Sequence, residues 1–167
     1  MTDLTTRRVA DFESLVRVHD GALRAFAYRL VGRECDDVLQ VAYIAAFRAL
    51  PGFRDESAVS TWLHRIVYTT AMNHLRSRRR RLHRDDAAID DVVRDDVAVF
   101  VSNRVDVARA LARLPLDQRA ALLLVDAQGF SYDDAARVLD VAPGTVASRL
   151  NRARHRLREL LDLGKDD

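Results

Sequence analysis

Apolar residues recur along most of the chain at spacings of three and four, the period of an amphipathic helix, and alternating strand patterns are scarce. Phe12, Leu15, Val16, Leu23, Phe26, Leu30 and Val31 fall near one face of a first helix, which Gly32 can end. Val38, Leu39, Ala42, Tyr43, Ala46, Phe47 and Leu50 stripe a second, stopped by Pro51-Gly52. Trp62, Leu63, Ile66, Val67, Thr70 and Leu75 stripe a third, with Ser57 or Ser60 as its cap. Further on, Val107, Ala110, Leu111 and Leu114 mark a helix ended by Pro115. Asp117 caps the next, which holds Ala121, Leu122, Leu124 and Val125 and closes at Gly129. Ser131-Tyr-Asp-Asp134 has the form of a capping box, with Asp at the fourth position, and opens a short helix over 132–139. A last helix spans about 143–161, with Pro143 at its first position, where a missing N–H costs nothing. The pattern predicts an all-α fold.

The periodicity breaks once. The third helix runs into RSRRRRLHR, residues 76 to 84, which holds six arginines. Asp-Asp pairs then follow at 85–86, 90–91 and 95–96, and their spacing of five fits neither helix nor strand. The chain therefore divides into two small helical domains, 1–81 and 103–167, joined by a flexible acidic linker at 82–102. Domains this small bury a modest fraction of their surface and lean on a partner for full stability.

With 167 residues and a net charge of +2, the bulk composition does not mark a nucleic-acid binder; the signal lies in where the charges fall. Lys165 is the only lysine, so the cationic groups are nearly all guanidinium forks, suited to bidentate phosphate and base contacts. Cys35 stands alone, which excludes an intrachain disulfide and points to a reducing cytoplasm. The amino terminus carries no signal-peptide pattern, and no apolar run is long enough for a membrane span.

Two stretches carry chemistry. In APGTVASRLNRARHRL, residues 142–157, a short turn aims a cationic helix, and with the helix at 132–139 this makes a helix-turn-helix. Arg149, Arg152 and Arg156 share one face at spacings of three and four, opposite Leu150, Leu157 and Leu161. Ser148 and Asn151 are short polar groups near the helix start, able to reach base edges in a major groove, while the later arginines suit phosphates. In TWLHRIVYTTAMNHLRSRRRR, residues 61–81, Arg65, Thr69, Asn73 and Arg76 share a face at spacings of four, four and three. With Trp62 and Tyr68 on the same helix, that face suits unpaired bases: polar groups read edges and cations hold the backbone.

These stretches, with DDVLQVAYIAAFRALPGF before them and LARLPLDQRAALLLVDAQGFSYDDAARVLDV between, give the chain a resemblance to bacterial sigma factors of the extracytoplasmic-function (ECF) group. It covers about residues 10 to 162, in both the order and the spacing of the blocks. The resemblance implies a promoter-specificity subunit of RNA polymerase, not an enzyme, with no cofactor or metal. The first domain would bind the polymerase clamp and the minus-10 element, the second the polymerase flap and the minus-35 element, and the acidic linker would thread near the RNA path. Asp36, Asp37 and Gln40 match the face that meets the clamp. Trp62, Arg65, Thr69, Asn73, Arg76 and Arg79 match the segment that handles the melted minus-10 strand, and the loop near 78–84 the place where a flipped base is captured. Thr145, Ser148, Arg149, Asn151, Arg152 and Arg156 match the minus-35 recognition helix. The sequence departs from the family at Val41 for a common Glu, Thr69 for Asn, Asp140 for a turn Gly and Ala147 for a basic residue. A separate anti-sigma protein is an expected partner, since only DLGKDD follows the last helix.

Two other classes fit less well. A stand-alone helix-turn-helix regulator normally reads paired half-sites as a dimer, no long heptad seam is visible, and the first domain would have no purpose. A metal or hydrolytic enzyme would need ligand spacing that His19, His64, His74, His83, His155 and Cys35 do not provide.

Overall fold

The computed structural model describes residues 2–53, 58–84 and 102–162, and these are helical with short connections. Helix α1 runs Thr2–Val31, α2 Cys35–Ala49, α3 Val59–Arg84, α4 Ser102–Ala112, α5 Leu116–Leu122, α6 Tyr132–Leu139 and α7 Pro143–Asp162. A π-helical segment, Leu123–Ala127, extends α5. Residues 78–84, expected as a loop, are helical and belong to α3; the acidic pairs at 85–96 lie outside the described residues.

The expected stops act as physics requires. Gly32 and Gly129 adopt φ of +67° and +73°, a conformation that costs a residue without Cβ nothing. Asp140, where the family favours glycine, takes φ 55° and ψ 49° and ends α6; Asp140 N and Val141 N both turn back to the Ala136 carbonyl. Ser131 Oγ accepts from Asp134 N at 3.0 Å, as the capping motif predicts. The Asp134 carboxylate does not complete the box through the backbone: it accepts from the Ser131 hydroxyl at 2.7 Å.

Two caps are corrected. Helix α5 begins ahead of Asp117, because Arg119 N donates to the Pro115 carbonyl at 2.9 Å; Pro115 is the boundary residue. Helix α3 opens on the Ala58 carbonyl, which accepts from Trp62 N, so Ser60 lies inside its first turn; Ser57 is outside the described residues.

The core runs through both halves of the chain. Leu23, Phe26 and Leu30 of α1, Val38 and Leu39 of α2, and Leu63 and Val67 of α3 join one buried cluster with Leu124, Ala135, Val138 and Val146. Helix α3 packs on α6, and α1 touches α4 and α5. Each half thus supplies the cover that the other lacks. A smaller cluster of Leu114, Leu122, Leu150 and Ala153 fixes α7 to α5. Small residues let the helices approach: Ala27, Ala42, Ala71, Ala120, Ala121, Ala135 and Ala153 have no measurable exposure.

One charge lies in this interior. Arg119 is 5% exposed and donates to the carbonyls of Arg29 at 3.2 Å, Leu114 at 3.0 Å and Ala112. The Arg29 and Ala112 carbonyls belong to the carboxy-terminal turns of α1 and α4, where the helix dipole is negative, and Leu114 lies just past the end of α4. Burial lowers the Arg119 pKa from its usual value, but a guanidinium keeps its proton and the carbonyls neutralise its charge. Replacing Arg119 with Leu removes all three bonds and takes the donor from the buried Leu114 carbonyl; the loss should be about 3 kcal/mol of unfolding free energy, read from urea titration of the full chain.

Candidate nucleic-acid interface

Helix α7 presents the second basic surface because its other face is committed. Val146, Leu150 and Ala153 are buried, at spacings of four and three. Asn151, Arg152 and Arg156 are exposed, and Thr145 at the helix start is half-buried. Ser148 is half-buried, its hydroxyl donating to the Thr145 carbonyl at 2.9 Å. Arg149 differs from expectation. It borders the buried face, and its Nε lies 3.2 Å from Asp117 Oδ2 on α5, with the side chain 22% exposed. In this conformation Arg149 ties α7 to α5 and is not presented outward. Arg154 is exposed but paired, making two bonds to Asp126 at 2.6 and 2.9 Å.

Helix α3 carries the first surface. Arg65, Thr69, Asn73, Arg76 and Arg79 are all exposed, one or two turns apart. Trp62 is half-buried, its ring tilted against Phe53 with centroids 4.8 Å apart. Tyr68 is half-buried and faces Arg149 and Asp117; burial raises its pKa above the usual phenol value. The basic end of α3 is fixed by Glu34, whose Oε2 lies 3.0 Å from His74 Nε2 and 3.2 Å from Arg78 Nη1. Partial burial would raise the Glu34 pKa, but the bonds and charges of His74 and Arg78 outweigh it and hold the carboxylate below its usual range.

A third surface lies on α2. Asp36 and Asp37 occupy its first turn, where the helix dipole favours negative charge. Asp36 pairs with Arg24 of α1, while Asp37 and Gln40 project into solvent. Val41 and Ile44 share this face and are 57% and 48% exposed. Neither falls in the apolar stripe of α2, and that absence is the sign in the sequence of an apolar patch beside the polar pair.

Among the described residues no group of three His, Cys, Asp or Glu side chains is placed to hold a metal ion. No described helix is long and apolar enough to cross a membrane.

Comparison with known proteins now bears on these surfaces. Residues 15–81 match the family model of sigma-70 region 2, and residues 104–157 that of sigma-70 region 4. The ECF RNA polymerase sigma factor SigM of Mycobacterium tuberculosis is 46% identical over 155 residues, spanning 90% of this chain and 76% of that protein. The chain is an ECF sigma factor. It is a transcription initiation factor that directs RNA polymerase to promoters. Its fold resembles the sigma factor RpoE of Bartonella quintana, solved in complex with the anti-sigma factor NepR, at TM-score 0.80 and 34% identity over 91% of this chain and 97% of that one. It also resembles CnrH, solved with the cytosolic domain of CnrY, at TM-score 0.65 and 29% identity over 91% and 88% of the two chains. In this ECF factor Glu34 links the start of the α2 face to the basic end of α3.

Because the folded-state pKa of Glu34 is depressed, its stabilising contribution is present above the ordinary carboxylate value and is lost as pH falls below it. Glu34→Gln should therefore flatten the acid limb of stability, measured as urea midpoint against pH from about 6 to 3.

Proposed function

We propose that this ECF sigma factor meets its targets through three separate exposed faces. The α7 face, with Thr145, Ser148, Asn151, Arg152 and Arg156, reads the minus-35 element as duplex. The α3 face, with Arg65, Thr69, Asn73, Arg76 and Arg79, holds the melted minus-10 strand, with Trp62 packed beneath it. Asp37, Gln40, Val41 and Ile44 on α2 form the polymerase clamp contact, and Asp36 orients it through Arg24. Residues 1–84, to the end of α3, then act as the polymerase and minus-10 domain and 102–167, from the start of α4, as the minus-35 and flap domain, joined by the acidic segment 85–101. The observation that carries this reading is α7: its apolar face is buried by Val146, Leu150 and Ala153, while Asn151, Arg152 and Arg156 remain in solvent. Arg149 contributes to the minus-35 contact once it exchanges Asp117 for a phosphate. A solved relative bound to an anti-sigma factor supports a separate protein inhibitor here too, acting in the cytoplasm.

Strand opening needs no catalytic group on this chain. Bases captured on α3 offset an unstacking cost of roughly a few kcal/mol per step.

Purified chain should comigrate with bacterial core RNA polymerase on size exclusion, and Asp37→Ala with Gln40→Ala should weaken the complex. Comigration unaffected by that pair would move the clamp contact elsewhere. With a promoter selected by the holoenzyme, Arg156→Ala should weaken binding evenly across sequences and reduce the slope of log affinity against log salt by about 1. Asn151→Ala should instead relax preference at one minus-35 base pair by about 1–3 kcal/mol.

A further inference from the structure

The run RSRRRR, residues 76–81, does not form one surface. At about 100° per residue, Arg79 and Arg80 lie within about 60° of Arg76 around α3, on the side of Thr69 and Asn73, while Arg78 lies about 160° away. The environments divide in the same way. Arg76, Arg79 and Arg80 are exposed, whereas Arg78 is half-buried with its Nη1 3.2 Å from Glu34 Oε2. His74, one turn earlier on the Arg78 side, has its Nε2 3.0 Å from the same oxygen. A single carboxylate oxygen therefore meets two successive turns of α3.

The contact falls where the apolar packing of α3 runs out. Leu75 still packs on the core, but Arg79, Arg80, Arg81 and Leu82 are exposed in succession. Four neighbouring residues cover most of a helical turn, so beyond Arg78 the helix has no buried face. A helix end without tertiary cover is marginal and opens readily. Cations suit a helix carboxy terminus, yet Arg76 and Arg80, four residues apart, repel each other.

Glu34, in contrast, comes from a fixed backbone. It ends the short turn Gly32–Glu34 between α1 and α2, with Val31 before the turn and Cys35 after it both buried. A carboxylate on that turn can act as a fixed post for a helix end that has no other cover.

We propose that Glu34 is a positioning residue for the melted minus-10 strand: it pins His74 and Arg78 to the start of α2, fixes the line along which the end of α3 projects, and so presents Arg76, Arg79 and Arg80 together to the strand. This adds Arg80 to the strand-holding residues and keeps Arg78 out of them. The proposal rests on the assignment of the α3 face to that strand made above. A half-exposed pair shifts an equilibrium by roughly fivefold at most. That is little for the stability of the whole chain, but it counts at a helix end whose order is marginal, because strand affinity scales with the fraction of molecules in which the end is ordered.

The test uses holoenzyme reconstituted from the full chain and core RNA polymerase, with a fluorescent single-stranded oligonucleotide carrying the non-template minus-10 sequence of a promoter that the holoenzyme selects. Glu34→Ala and Arg78→Ala should each weaken strand binding about two- to fivefold, with no change in the slope of log affinity against log salt, because neither group touches a phosphate. The double variant should be no weaker than either single one, since the two residues act as a unit. Exchanging the partners, Glu34→Arg with Arg78→Glu, should restore affinity to within about twofold. Arg80→Ala should instead reduce the slope by about 0.7, as loss of a direct phosphate contact does. Arg78 lies beyond the core, so Arg78→Ala and the exchanged pair decide the matter even where Glu34→Ala fails to fold.

Unchanged affinity in both single variants, losses that add in the double variant, or a reduced slope in Arg78→Ala would overturn the proposal and leave the sigma assignment intact. Tighter binding by Glu34→Ala, the outcome of simply deleting a negative charge near DNA, would overturn it as well. Failure of wild-type holoenzyme to bind the strand at all would instead overturn the assignment of α3 on which the proposal stands.

Discussion

A helix with one polar face must hide the other, and neither half of this chain has enough helices to do so alone. Helices α1 to α3 leave the Phe26–His64 side of their bundle open, and α4 to α7 leave Phe130 and α6 uncovered. The two deficits meet. The shared core that results orders the rest: it puts α3 beside α6, draws Gln128 to Ala22, and places a guanidinium between the ends of two helices. Arg119 suits that position where lysine would not. Its planar fork satisfies carbonyls in several directions at once, whereas an ammonium is more strongly hydrated and costs more to bury.

Sharing a core also decides what remains outside. The alanine-rich stripes bury backbone close to backbone and add little apolar area per residue, so the polar faces of α2, α3 and α7 are left long and continuous. Their charges are held in place locally. Glu34 anchors the basic end of α3, Asp126 holds Arg154, and Asp117 holds Arg149. Exposed pairs of this sort contribute little to stability. They set which arginines are paired and which are left unpaired in solvent.

What was legible in the sequence follows the range of the forces involved. Local signals carried through: the 3.6-residue stripes gave the helices, Ser131 the cap of α6, Pro143 the start of α7, and Asp140 the left-handed stop. Two caps were misplaced by a residue or more, because Pro115 and Ala58 supply carbonyls that open helices without any capping side chain. The exposed face of α7 was mostly readable, since the exposure of Asn151, Arg152 and Arg156 follows from the periodicity of α7 alone. The inward turn of Arg149 was not, because it depends on Asp117 lying across a helix–helix contact. The contact between the halves was least visible. His64 and Phe130 are far apart in the chain, and nothing within either segment marks the other as its neighbour.

That long-range contact alters what the helix-turn-helix means in this molecule. A reader domain on a flexible tether would be available to DNA at all times, and specificity would rest on base contacts alone. With the reader packed on the first half through one shared core, the exposed faces of α3 and α7 are positioned by the same buried contacts. His64 and Phe130, with ring centroids 4.9 Å apart, and Gln128, bonded to the Ala22 carbonyl, hold the second half on the first, so a substitution in the core of one half is felt in the other.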